Sequence, residues 1–278
     1  MRKVRFVGLV PAAGSGTRMY PFSRAVPKEM YPILGKSVIE HSIDNLREGG
    51  IKDVFVIVGH QKGALMDYIG DGSVFGVNVA YIYQTQRKGL GHAILQGKNW
   101  IKEPFVTLLG DSFIEPKTEI LNIMKLHEEK RPIATVLLFK VKNPLGYGIV
   151  KLKKIKDNYG IVEKLIEKPT PEEAKEYEVD GEYYALCGLY VFEPQIFDFI
   201  EKTPPGTRGE IWIADSIDLA VKSGEKVYGM FLVNGKYLDI GKWRTVFHVK
   251  KYMLDTFDIE KMIQEREEMT KRMKDNFG

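Results

Sequence analysis

Val4 to Val10 is β-branched and apolar almost throughout, and a long loop rich in Gly and Pro follows it as far as Pro32. Such a run is expected of a strand covered on both faces, which Pro11 then stops. Ser37 can cap a helix whose Ile39, Ile43 and Leu46 share one face, and Gly49-Gly50 ends it before a second apolar strand from Asp53 to Val58. A chain that starts as strand, loop, helix and strand is restricted to folds in which helices cover a sheet.

The alternation continues with strands at Val77 to Tyr83, Phe105 to Leu109 and Ile133 to Val141, and with helix-period segments at Leu90 to Ile101 and Thr118 to Lys130. It predicts an α/β fold with a largely parallel sheet and helices on both faces. Beyond Lys142 shorter, more alternating strands at Gly148 to Lys153, Ile161 to Glu167 and Tyr184 to Phe192 predict added antiparallel elements. No Pro/Ser-rich linker divides them, so residues 1–254 read as one continuous domain, with a nucleotide-type half to about 142 and an elaborated half after it. Residues 255–278 are charged but keep Ile259, Met262, Met269, Met273 and Phe277 near one helical face. This helical extension is expected to dock on its own domain, or on a neighbouring subunit in a homo-oligomer.

Composition narrows the function. The 278 residues are 44% hydrophobic and 28% charged, as in a globular protein, and the net charge of +4 is spread without a basic block, which removes nucleic acid as a partner. A small anionic substrate stays open. Cys187 is the single cysteine and no Cys/His cluster has zinc spacing, so a reducing cytoplasm is the simplest location. The runs at Val54 to Val58 and Ala185 to Phe192 are too short to span a bilayer. Arg2 and Lys3 before the first apolar run loosely imitate a secretory signal, but Arg5 and Gly8 interrupt it, and a buried first strand is the better reading.

The chemistry is concentrated after strand ends. In the loop Ala12, Ala13, Gly14, Ser15, Gly16, Thr17, Arg18, glycines directly after a first strand let backbone N–H groups approach an anion. A dinucleotide fingerprint fails at Met19, where a third glycine is needed, and no Gly-Lys-Ser/Thr completes a P-loop. Two cations, Arg18 and Lys28, flank this cradle and suit nucleotide phosphates. Asp111 follows an apolar strand, where open α/β sheets place their ligands; an isolated Asp there is otherwise a turn or cap residue. Magnesium needs few protein carboxylates beside phosphate and water, so a single strand-end Asp needs a second acid from elsewhere in the chain. Gln84 ends a strand with a donor and an acceptor side by side, matching the edge of uracil or thymine. Glu167 and Lys168 precede Pro169, which ends their strand and presents the pair at a sheet edge. The five histidines show no triad or metal spacing.

Gly14-Ser-Gly-Thr-Arg-Met-Tyr-Pro21 with Pro27-Lys-Glu-Met-Tyr-Pro32 resembles the signature of the sugar-1-phosphate nucleotidyltransferases. The resemblance extends over residues 4 to about 250, through Gly89-Leu-Gly-His-Ala93, Leu109-Gly-Asp111, Tyr147-Gly148, Glu167-Lys-Pro169, Gly188-Leu-Tyr190, Arg208-Gly-Glu210 and Leu238-Asp-Ile-Gly241, in that order. It implies a Rossmann-like three-layer fold with a mixed, mainly parallel sheet. It also implies Mg²⁺ held by Asp111 and Asp239, catalytic charges on Arg18, Lys28 and Lys168, and base contacts from Gln84 and Gly89. Glu167 would bind sugar hydroxyls and Lys168 the sugar phosphate, between walls formed by Tyr147, Gly148, Gly188 and Tyr190.

The implied substrates are UTP or dTTP and a sugar 1-phosphate, with glucose 1-phosphate as the family default. Pro27-Lys-Glu-Met30 and Thr203-Pro-Pro-Gly206 look closer to uridylyltransferases, whereas the short connection from Asp53 to Gln84 looks closer to thymidylyltransferases. No hexapeptide-repeat tail follows, which disfavours a bifunctional acetyltransferase. A catalytically silent sugar-nucleotide-binding subunit is the alternative from another class, and a nicotinamide-dependent oxidoreductase a distant third.

Overall fold

The computed structural model describes residues 4–206, 209–233 and 235–277, and the side chains of all these except 276 and 277. Nine strands form one sheet: β1 (Val7–Pro11), β2 (Asp53–Val58), β3 (Asn78–Tyr83), β4 (Phe105–Leu108), β5 (Ala134–Val141), β6 (Gly148–Lys156), β7 (Tyr159–Glu167), β8 (Tyr183–Phe192) and β9 (Val227–Phe231). Their order is β3-β2-β1-β4-β8-β5-β9-β7-β6. β1, β2, β3 and β4 are mutually parallel, as is the β5–β9 pair, while β8 runs antiparallel to β4, β5 and, at Tyr184 and Ala185, to β6, and β7 runs antiparallel to β9 and β6. The elaborated half is therefore threaded through the nucleotide half, with β8 seated between β4 and β5, and the two are parts of one sheet.

Period-two alternation sends the side chains to two cores. Val7 and Leu9 face the layer of α3 (Gly89–Leu95), α5 (Ile196–Lys202) and α6 (Ile213–Lys222), whereas Val10, Val54 and Val56 face α1 (Val38–Glu48), α2 (Gly63–Ile69) and α4 (Glu119–Lys130). All ten residues of β8 are buried, as a strand covered on both faces requires. The first strand starts three residues later than predicted and includes Pro11, which tolerates its place because proline needs only a carbonyl partner: Gly110 donates to it at 3.4 Å. The segment predicted as one helix to Ile101 is α3 followed by turns from Gln96.

Two further elements place the site. Lys236–Asp239 pairs antiparallel with Ser112–Glu115, with Asp239 opposite Ser112. Then α7 (Trp243–Thr256) and α8 (Ile259–Phe277) end the described chain, so the boundary expected at 254 falls inside α7 and the extension begins after Phe257. Among the described residues no helix is long and apolar enough to cross a membrane.

Candidate active site

The parallel strands end on one side, and their following loops build the site, as the crevice rule for open α/β sheets requires. After β1, Gly16 has φ 68°, a left-handed backbone, and a side chain there would come within 3.0 Å of Ser23 Cβ. Its carbonyl accepts from Ser23 Oγ at 2.7 Å, so the turn is fixed from within. Ala13, Gly14, Ser15, Arg18, Lys28, Gln84 and Gly89 line one cleft of about 370 Å³. Ala12 departs from its expected role in the phosphate cradle: its N–H donates to the Ile57 carbonyl at 2.8 Å and its methyl group lies in the core. Thr17 faces the neighbouring cleft instead.

The second cleft, about 620 Å³, is lined by Tyr147, Gly148, Glu167, Lys168, Gly188 and Tyr190, all six predicted sugar-pocket residues, together with Tyr237, Trp212 and Lys242. Both clefts are bordered by Arg18, Leu90, Leu109, Asp111 and Glu210, so they join across Asp111. A groove of similar size, about 630 Å³, lies between α1 and the two C-terminal helices, but it contains none of the predicted site residues.

Strand pairing explains the meeting of the two acids. Because Asp239 sits opposite Ser112 and Ile240 donates to the Asp111 carbonyl at 2.8 Å, residues distant in sequence become neighbours. A Cβ at Gly241 would lie 2.6 Å from Asp239 Oδ1, 2.8 Å from Arg18 Nη2 and 3.0 Å from Asp111 Oδ2. Two carboxylates and a guanidinium thus converge on one point that only glycine leaves open. No third acid, His or Cys joins them in a metal-ligating cluster among the described residues. Two protein carboxylates with space for phosphate oxygens and water are the donor set that suits magnesium.

The charges are matched. Lys28 pairs directly with Asp111, and Arg18 Nη1 lies 3.7 Å from Asp239 Oδ2. Burial opposes the charged form of Lys28, but Asp111 and Glu29 outweigh it and raise its pKa above the ordinary 10.5. Burial likewise opposes the Asp111 carboxylate, and Lys28 and Arg18 reverse the effect, holding its pKa below 3.8. Glu29 pairs in turn with buried Lys62 at 2.6 Å.

In the second cleft Gly148 faces Glu167 across the β6–β7 pair, and a side chain at Gly148 would come 2.7 Å from Glu167 Oε2. Burial raises the Glu167 pKa against the opposing charge of Lys168, with Asp215 and Glu210 adding to the rise. β7 pairs with β9 only over Tyr159–Ile161, and beyond that the Leu165 N–H donates to Asp218 Oδ1 at 2.9 Å, so the Glu167-Lys168 pair sits at a strand end with a strand, β6, on one side only. Gly188 has φ 75°, and a Cβ there would meet Leu109 at 2.8 Å, so its glycine is needed for the strand to pass the Asp111 loop. Gln84 is buried, with Nε2 bonded to His92 Nδ1 at 2.8 Å. Burial, with Lys88 nearby, lowers the His92 pKa, which favours the neutral ring that accepts through Nδ1.

Sequence reasoning assigned no role to Glu210 or Trp212. The loop signal Thr203-Pro-Pro-Gly206 ahead of an aromatic residue and a helix could have drawn attention to them. Arg208 lies outside the described residues.

Comparison with known proteins gives a consistent result. Residues 7–256 match the family described as nucleotidyl transferase. A UTP–glucose-1-phosphate uridylyltransferase of Pseudomonas aeruginosa is 32% identical over 259 residues, covering 84% of this chain and 90% of that protein. A glucose-1-phosphate thymidylyltransferase of Streptomyces antibioticus is 32% identical over 257 residues, covering 92% of this chain and 68% of its own. A crystal structure of UDP-glucose pyrophosphorylase complexed with UDP-glucose superposes with TM-score 0.81 at 26% identity, covering 90% of this chain and 99% of that one.

Proposed function

Because the chain belongs to the nucleotidyl transferase family, we propose that it transfers a nucleotidyl group from UTP or dTTP to a sugar 1-phosphate, with glucose 1-phosphate as acceptor, releasing pyrophosphate. The observation that carries this reading is the joining of two clefts across Asp111, one lined by the glycine loop and the other by Glu167 and Lys168. A hydride transfer needs no such pair of phosphate-holding charges.

In this reading the Gly14 and Ser15 backbone and the Arg18 and Lys28 side chains hold the triphosphate, Lys28 exchanging Asp111 for a phosphate oxygen. Lys168 holds the phosphate of the acceptor, and Glu167 accepts hydrogen bonds from sugar hydroxyls. An acceptor oxygen then attacks the α-phosphorus and pyrophosphate leaves in line. That oxygen is already ionised, so no protein base is required, and positioning and charge neutralisation supply most of the catalysis. Mg²⁺ held by Asp111 and Asp239 would supply Lewis-acid neutralisation of the phosphates. Retention of Arg18, Lys28, Asp111, Lys168 and Asp239 together supports an enzyme over a silent binding subunit.

The test is a matrix of five nucleoside triphosphates against several sugar 1-phosphates with Mg²⁺, scored by pyrophosphate. UTP and dTTP are expected to exceed ATP and GTP; efficient use of ATP would sink the base assignment. Absence of pyrophosphate from every pair, with UDP-glucose still bound, would favour the silent subunit. With Nε2 held by His92, Gln84 keeps its carbonyl oxygen and second N–H for the base. Gln84→Ala should therefore narrow the pyrimidine-over-purine preference by about 1–3 kcal/mol. An unaltered preference would assign base reading to the backbone.

A further inference from the structure

We propose that Trp212 is a positioning residue of the acceptor cleft: it holds the Lys168 ammonium over its indole face and offers the rest of that face to the apolar side of the sugar ring. This inference rests on the reading of the cleft as the acceptor site.

Lys168 is not held well by its own neighbours. Its backbone is left-handed, with φ 46°, its side chain is 47% exposed, and its Nζ lies 3.6 Å from Glu167 Oε1, beyond good hydrogen-bonding length. The contact that gives it direction is Trp212, whose ring centroid is 4.9 Å from Nζ, inside the range of a cation–π attraction. A lysine ammonium on four methylenes carries large rotamer freedom, so a fixed ring that favours one position lowers the entropy lost when a phosphate binds.

Trp212 can act this way because it is itself anchored. Its Nε1–H donates to Glu210 Oε2 at 3.0 Å, and the indole backs on Gly206, where a side chain would come 3.3 Å from ring carbons Cε3 and Cζ3. The segment is stitched to the start of α3: Ile211 N–H donates to the Lys88 carbonyl at 2.7 Å, and Gly91 N–H to the Ile211 carbonyl at 2.9 Å. Trp212 therefore sits on the strap that joins the nucleotide loop to the acceptor cleft. A half-buried aromatic face lining a cleft otherwise rich in polar groups is also the surface on which the C–H face of a pyranose buries apolar area.

The experiment compares Trp212→Leu, Trp212→Phe and Lys168→Met in steady-state kinetics with each substrate varied in turn. Trp212→Leu should raise KM for glucose 1-phosphate on the order of tenfold while KM for the triphosphate moves by less than about twofold. Trp212→Phe should recover most of the loss, since it keeps a ring face. In the Lys168→Met background Trp212→Leu should cost clearly less than in the wild type, because the part of its effect that runs through the ammonium is already gone. Glucose 1-phosphate added to the wild type with a non-hydrolysable UTP analogue should change tryptophan emission. Trp212→Phe should abolish that change although Trp100 and Trp243 remain, a readout that serves even if Trp212→Leu does not fold.

An unchanged acceptor KM in Trp212→Leu, a parallel rise in both KM values, or an emission change that persists in Trp212→Phe would overturn the proposal. If instead Lys168→Met leaves acceptor kinetics at the wild-type level, the assignment of the acceptor cleft itself is wrong, and the role of Trp212 falls with it.

Discussion

Asp239→Asn is expected to cut Mg²⁺-dependent turnover on the order of a thousandfold while leaving the protein folded. Its carboxylate is one of the two acids converging beside Gly241, and its partner Arg18 is 54% exposed, so water can solvate the guanidinium when the charge is removed. Asp111→Asn should lose as much turnover and also stability, because it removes the direct ion-pair partner of Lys28, whose side chain is only 13% exposed. The pH dependence separates the two variants. Asp111 has a folded pKa below its ordinary 3.8, so its contribution is present above that value and lost as pH falls through the lower folded one. Lys28 has a folded pKa above its ordinary 10.5, so its contribution is present below 10.5 and lost as pH rises through the higher folded one. Between those limits the wild type should gain melting temperature over Asp111→Asn, and the gain should shrink toward either end. Turnover unchanged in Asp239→Asn would remove that residue from the proposed metal site.

The glycine loop, Gln84, Asp111 and Glu167-Lys168 were legible because each follows or ends a run whose apolar pattern is strong, and such ends gather on one side of an α/β sheet, whereas Tyr147, Gly148, Gly188 and Tyr190 were reached only through the resemblance. What the pattern could not give was partnership across the sheet. β8 is buried on both faces, and a continuous apolar run reads the same whether its neighbours are parallel or antiparallel, so its seat between β4 and β5 was not visible. Ala12 belongs to a loop whose composition suits a phosphate, yet its N–H is taken by Ile57 from another strand, a bond that no local motif records. Asp239 could be paired with Asp111 only through resemblance; the physical cause is a short ribbon in which it stands opposite Ser112.

The second large effect concerns the C-terminal helix. Of its predicted apolar stripe, Met262 joins the small core around Met19 and Phe113, Met269 and Met273 pack on the core beside α1, and Ile259 stays 38% exposed; the side chain of Phe277 lies outside the described residues. The helix thus docks on its own chain, but the stripe alone does not explain the docking. Glu40, 2% exposed on α1, accepts from Ser37 N–H at 2.8 Å and from the Tyr68 hydroxyl, and its charge is met by Arg266 of α8, with Nη1 2.6 Å from Oε2. Lys36 adds a second strut, 3.0 Å from Glu265. Burial opposes the Arg266 charge, yet Glu40 and Tyr68 more than offset it and raise its pKa. Arg266→Ala leaves a buried carboxylate unpaired and should cost about 3 kcal/mol, a fall in melting temperature of roughly 6–12 °C for a domain of this size. Glu40→Gln should lose less, and adding it to Arg266→Ala should restore part of the stability, because the stranded charge is then gone. Ending the chain after Thr256 removes the arginine and the methionines together and should be the most destabilising change of the three. If Arg266→Ala melts like the wild type, the contact with Glu40 is incidental and the methionine stripe alone holds the helix; if light scattering shows a smaller mass for the shortened chain with catalysis retained, the helix serves assembly in addition to the stability of its own domain.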